Sequence, residues 1–223
     1  MNKYNIKYSE SIPILNCDFE GPKWDEAELI ELKYVRPESV NPLPKTSVKL
    51  LWGEDGINGI FKVEDHSLLA RYTNIHEPVW RDSCVEFFVK PKGVRGYINF
   101  EFNCIGTLLC SHVTNHERTT DGFRESRRIE KEDCQSVLRM SSINEPVPVE
   151  VTAEKEWYLE FFIPFELLRK YFGDITINPG DEWTSNFYKC GDDLINPHWI
   201  AWSEVKELNF HSPEDFGKIV FGK

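Results

Sequence analysis

The sequence predicts an all-β fold, an antiparallel β-sandwich of jelly-roll-like type with one short helix near residues 165–171. Three observations predict it. Short runs of alternating apolar and polar residues recur along the chain, with Gly, Pro and Asn turns between them. One segment alone reads as a helix, Pro164-Phe165-Glu166-Leu167-Leu168-Arg169-Lys170-Tyr171, opened by the residue that best tolerates a first helical position. Seven Trp and fifteen Phe supply the side chains that fill a two-layer core or line a ligand face.

Taken in order, residues 1–23 read as an irregular lead-in. Residues 46–52 have strand composition, Gly53-Glu54-Asp55-Gly56 is a turn, and 57–63 returns as the second arm of a hairpin. Residues 84–89 form a third strand, with Val85, Phe87 and Val89 on one face and Cys84, Glu86 and Phe88 on the other. In the next, 96–104, Tyr97, Asn99, Glu101 and Asn103 alternate against Ile98, Phe100 and Phe102. A turn near Gly106 leads into 108–113. Residues 114–133 are highly charged, with acids and bases interleaved, and read as a long surface excursion. Strands resume at 135–140, 147–152 and 157–163, and after the helix at 182–190 and 217–221. The 223 residues are enough for a two-layer core without disulfide help. No repeat, linker or low-complexity tract divides them, so one domain over 1–223 is expected.

The net charge of −11 repels phosphate backbones and anionic lipid, so neither nucleic acid nor a membrane is an expected partner. A neutral sugar is indifferent to that field. Residues 1–8 contain no apolar stretch that reads as a secretory signal or a span. The cysteines at 17, 84, 104, 110, 134 and 190 contain no Cys-x-x-Cys and are expected as free thiols, mostly buried. Trp24, Trp52, Trp157 and Trp183 sit in or beside strand-like runs and are expected in the core.

Four segments in register resemble the family-9 carbohydrate-binding modules. Val79-Trp80-Arg81-Asp82-Ser83-Cys84-Val85-Glu86-Phe87-Phe88-Val89-Lys90-Pro91 is similar to that family's Trp, acid and Val-Glu-hydrophobic-Phe strand ending at Pro. Tyr97 to Gly106 resembles the strand that follows. Trp157 to Phe165 resembles the strand that runs into a short helix, and Phe210 to Phe221 the C-terminal signature. The resemblance implies a β-sandwich without catalysis, in which two Trp grip a sugar. It maps one of them onto Trp80 and the acidic hydroxyl ligand onto Glu86. The second aromatic falls just before the Pro213-Glu214-Asp215-Phe216-Gly217 segment, where Phe210 is nearest and Trp199 and Trp202 lie upstream.

Physical chemistry supports that mapping. A sugar offers an apolar C–H face and a rim of hydroxyls, so a flat aromatic beside a carboxylate or amide suits it. Asn99 and Asn103 share one strand face and are candidates for the amides. Asn186 and Trp199 belong to segments dense in aromatics and amides, and the spacing of Trp199 and Trp202 puts them on opposite faces. The expected ligand is a mono- or oligosaccharide. The resemblance also implies a glycoside hydrolase as a partner, of the xylanase type, and brings in structural calcium, with Asp181-Glu182 and Asp192-Asp193 as the oxygen-rich loops; no other cofactor is expected.

Three rival readings rest on particular residues. A glycoside hydrolase needs two carboxylates across a sugar, and Asp82 with Glu86 is the candidate pair. A haem-binding sandwich needs axial His or Met ligands, and the thioethers are limited to Met1 and Met140. His112 and His116 have metal-like spacing for a helix but fall in a strand running into a loop.

Overall fold

The computed structural model describes residues 2–10, 14–120 and 122–223. Its strands, in chain order, are β1 (Lys3–Tyr8), β2 (Ile30–Glu31), β3 (Tyr34–Val35), β4 (Lys45–Trp52), β5 (Gly56–Ala70), β6 (Cys84–Lys90), β7 (Tyr97–Asn103), β8 (Leu108–Thr119), β9 (Gly122–Arg128), β10 (Leu138–Ser141), β11 (Val147–Pro164), β12 (Glu182–Cys190), β13 (Trp199–Ala201) and β14 (Gly217–Phe221). Helix α1 (Lys131–Cys134) is a single turn and α2 (Phe165–Phe172) follows β11 directly.

Two sheets form the sandwich. One runs β14-β12-β6-β7-β8-β9, and the other β10-β11-β5-β4. Strand β1 belongs to both: Lys3 to Ile6 pair with β14, and Lys7 and Tyr8 pair with β4, parallel in each case. All other pairings among the described residues are antiparallel.

The period-two pattern of β6 and β7 explains the core. Val85, Phe87, Val89, Ile98, Phe100 and Phe102 point between the sheets and are fully buried. Phe87 stacks on Phe187 of β12 with centroids 5.1 Å apart, and on Phe161 of β11 across the sandwich at 5.7 Å. Burying each such ring contributes roughly 1.5–3 kcal/mol. Trp24, Trp52, Trp157 and Trp183 are buried as expected. All six cysteines are free thiols, and five are buried.

The sequence reading needs four corrections. The lead-in contains a strand, β1, because Tyr4 and Ile6 alternate inward and its backbone fills the seam between sheets. The charged stretch 114–133 lies at the surface as expected but has regular structure: β8 runs on to Thr119 and returns as β9, followed by α1. Its charges sit on a hairpin that stands clear of the core, so no apolar alternation marks it. Residues 147–152 and 157–163 are one strand, β11, whose alternation is broken by irregularities between Val147 and Val151 and between Thr152 and Lys155. The strand expected at 135–140 begins at Leu138, because Lys131 to Cys134 is helical and turns bridge to it.

Between the sheets lies one polar cluster. The buried ammonium of Lys189 donates to Nε2 of His198 (2.8 Å) and to the Cys190 carbonyl (3.1 Å), and pairs with Asp65 at 3.3 Å. Nδ1 of His198 faces the Asn196 carbonyl at 3.0 Å, so the imidazole is held neutral. Burial first, and then the Lys189 charge, push His198 well below its usual range. His76, His112 and His211 are also lowered by burial. The unfolded chain therefore binds protons near pH 6.5 that the folded chain does not. Stability conferred by these groups is present above about pH 6.5 and is lost as the pH falls below it. Glu86 and Glu101, raised by burial, take up protons in the folded state over the same window and act in the opposite sense. The histidine contribution is therefore read as a difference: the melting temperature of the wild type is expected to fall relative to that of His198→Gln as the pH goes from about 7.5 to 5. A difference between the two that does not change over that window would contradict this account.

Candidate functional site

The outer face of the β12-β6-β7-β8 sheet is the floor of a cleft of about 780 Å³. The floor follows from strand register. Glu86 and Glu101 stand directly opposite each other on β6 and β7, and Asn99 and Ser111 are opposite on β7 and β8. The face is polar where Glu86, Asn99, Glu101 and Ser111 meet, and apolar beyond it, where Phe88, Tyr97 and Tyr188 pack under the C-terminal segment.

Two turns build one end. Trp80 lies in the 3-10 turn Val79–Arg81, and its carbonyl accepts from the Asp192 amide at 3.2 Å. The Asp192 carboxylate accepts from the Trp199 indole N–H at 2.8 Å. A single residue thus ties the Trp80 backbone and the Trp199 indole to the same rim, and both side chains are half-buried and line the cleft. Hairpin β8–β9 builds the opposite wall. There the Arg118 guanidinium lies 4.1 Å over the Phe123 ring, and Arg128 donates to the Ser111 hydroxyl at 2.9 Å. His211 holds that wall to the sheet. Its Nδ1 is 2.7 Å from the Tyr97 hydroxyl and its ring is 4.4 Å from Phe123.

The electrostatics of the floor are unusual. Glu86 and Glu101 are 3% and 4% exposed. Burial first raises both carboxyls above their ordinary range, and their mutual repulsion adds to this at Glu86. Glu86 accepts from the Cys190 thiol at 3.2 Å. Glu101 accepts from the Asn99 amide through one oxygen, while its Oε2 is buried without a protein partner. Such an orphan costs about 1–3 kcal/mol.

Of the residues singled out from sequence, the cleft brings together Trp80, Glu86, Asn99, Trp199 and Phe210. Phe210 stacks on Tyr188 with centroids 4.0 Å apart. Three others lie outside the lining. Asn103 spends its amide on the Tyr72 carbonyl and Asp82, and holds the Thr107 turn. Asn186 bonds both ways to Ser203. Trp202 is in the core, edge-on to Phe187. Asp82 is fully buried and accepts from the amides of Arg71 and Tyr72, so it forms no pair with Glu86 across the cleft. Glu101 was missed, although it sits between Asn99 and Asn103 on the face already identified. Arg118, Phe123 and Arg128 were missed with their hairpin, whose sequence signal is the Asp121-Gly122 turn dipeptide.

The two acid pairs do not fit a calcium site. Asp181 accepts from Asn178, Glu182 pairs with Lys218, Asp192 holds Trp199 and Asp193 pairs with Arg71. Met140 is exposed on the second sheet, and Met1 lies outside the described residues, so no described thioether reaches the cleft. His112 faces the Arg95 carbonyl and His116 faces Glu214, so the two share no centre. No helix among the described residues is long and apolar enough to cross a membrane.

A two-sheet sandwich with an aromatic- and carboxylate-lined cleft on one outer face has the build of a carbohydrate-binding module. The sequence matches the model of carbohydrate-binding family 9 over residues 23–221, and the chain belongs to that family. No curated protein matches it. Its fold is similar to a candidate carbohydrate-binding protein from Bacteroides uniformis ATCC 8492, with TM-score 0.84, 28% identity and 98% of each chain covered. It also resembles a family-9 module from Caldicellulosiruptor kristjanssonii solved with glucose (TM-score 0.66, 13% identity, 100% of this chain and 97% of that one). A family-9 module from the same organism solved with cellotriose matches at TM-score 0.63 and 14% identity, over 100% and 95% of the two chains.

Proposed function

We propose that the cleft binds a mono- or oligosaccharide without transforming it, with Trp80 and Trp199 against the sugar's C–H faces and Glu86, Glu101 and Asn99 at its hydroxyls. The observation that carries this reading is the buried Glu101 Oε2 with no protein partner, in the cleft that two half-buried indoles also line. A carboxylate oxygen only accepts, so what it lacks is a donor. A hydroxyl of the ligand supplies one, and charge-assisted bonds of this kind are strong. The glucose and cellotriose found in the C. kristjanssonii module support gluco-configured sugars as first probes.

Binding without hydrolysis is favoured over a glycosidase by the placement of the acids. Glycosidase carboxylates flank the scissile bond, whereas Glu86 and Glu101 are neighbours on one floor. A glycoside hydrolase partner, and xylan as its substrate, extend the proposal from the family resemblance. Calorimetric titration with glucose, cellotriose and xylo-oligosaccharides, alongside a reducing-sugar assay on the parent polysaccharides, tests these readings. Saturable binding with a Kd of about 1 μM to 1 mM and no sugar release is expected. Release of reducing ends would replace the binding reading with the hydrolase, and silence across a broad glycan panel would remove both.

A further inference from the structure

We infer that Cys84, Cys190 and Glu86 form a binding site for a soft divalent cation of the Zn²⁺ or Cd²⁺ class, set into the cleft floor. The arrangement comes from sheet register. Cys84 of β6 and Cys190 of β12 stand directly opposite each other, and Glu86 follows Cys84 by two residues on the same face. One ligand atom from each of the three lies within 4.8 Å of the other two, and Cys190 Sγ is already 3.2 Å from Glu86 Oε1. A tetrahedral ion with bonds of about 2.3 Å to sulfur and about 2.0–2.2 Å to oxygen holds its ligands roughly 3.3–3.8 Å apart. The three side chains therefore need only small rotations to close on it.

Entry and selectivity follow from the same geometry. Glu86 and Cys190 line the cleft, which gives the ion a route in and leaves its fourth position open to water. Two thiolates with one carboxylate select zinc or cadmium over the hard ions calcium and magnesium. On loading, each thiol gives its proton to solvent as its metal–sulfur bond forms, and Glu86 binds as the carboxylate, releasing any proton it carries. The cation also compensates the two facing carboxylates, Glu86 and Glu101. The site is defined by protein ligands alone and does not depend on the sugar reading.

The reduced protein is titrated with Co²⁺ and Cd²⁺ and followed by ultraviolet absorption. Thiolate-to-metal charge-transfer bands are expected to saturate at one equivalent, and Zn²⁺ is expected to displace cobalt. Cys84→Ser and Cys190→Ser should each abolish the bands, and Glu86→Gln should weaken binding by about ten- to a hundredfold. Cys17→Ser should leave them intact, since that thiol donates to the Met140 carbonyl elsewhere in the fold. X-ray absorption of the zinc-loaded wild-type protein tests the ligands without relying on any variant, with two sulfurs at about 2.3 Å expected. Absence of a thiolate band, a first shell without two sulfurs, or bands unchanged in both cysteine variants would overturn the site.

Discussion

Trp80→Ala is expected to lower affinity for the bound sugar by roughly ten- to a hundredfold while leaving the fold in place. The physical basis is loss of one flat wall. An indole removed from the cleft forfeits about 1.5–3 kcal/mol of apolar contact with the sugar's C–H face, which is that range of affinity. The substitution spares the structure because Trp80 holds the rim by its backbone: its carbonyl accepts from the Asp192 amide, and alanine retains it. The indole itself is half-buried and packs on the edge of the apolar cluster beneath the C-terminal segment. Calorimetry for affinity and a melting curve for the fold separate the two effects. Unaltered affinity would remove position 80 from the site. A loss of both affinity and cooperative melting would show that its indole serves the fold.

Glu101→Gln is expected to move stability and binding in opposite directions. In the free protein Glu101 faces Glu86 across two strands, both are buried, and one Glu101 oxygen has no partner. Glutamine keeps the size, removes the second acid and offers Glu86 an amide donor. The melting temperature should rise, by about 2–4 °C for each kcal/mol recovered in a chain of this length. Sugar affinity should fall about tenfold, because a charged acceptor for hydroxyls has become a neutral amide. Such a trade is what a site held ready for a ligand displays. A variant that melts lower than wild type, or that binds sugar equally well, would show that the floor is not strained in this way.

The sandwich was legible because period-two alternation is a local property. Val85, Phe87 and Val89 against Cys84, Glu86 and Phe88 already state which side of β6 faces a partner sheet. The same alternation put Asn99 and Asn103 on one face of the next strand, and Glu101 was readable from it by the same logic. The alternation of Tyr4 and Ile6 was there to be read in β1, but its place in the seam was not legible, since that comes from parallel pairing with β4 and β14, one of which lies more than two hundred residues away. The β8–β9 hairpin was hidden because, standing clear of the core, it has little apolar surface to hide and so carries no hydrophobic period.

The sequence by itself determined the sheet faces, the buried Trp of the core, the family, and Trp80 with Glu86 as the first two residues of the candidate site, both of which line the cleft. Tertiary structure alone decided which of Trp199, Trp202 and Phe210 join them. Trp199 reaches the rim because Asp192 holds its indole there, Phe210 lies on Tyr188 at the cleft edge, and Trp202 turns into the core. It also decided that Asn103 and Asn186 brace turns. The physical reason is that side-chain alternation is set by bonds along the chain, whereas the neighbour that claims an amide or a carboxylate is set by contacts between segments far apart in sequence.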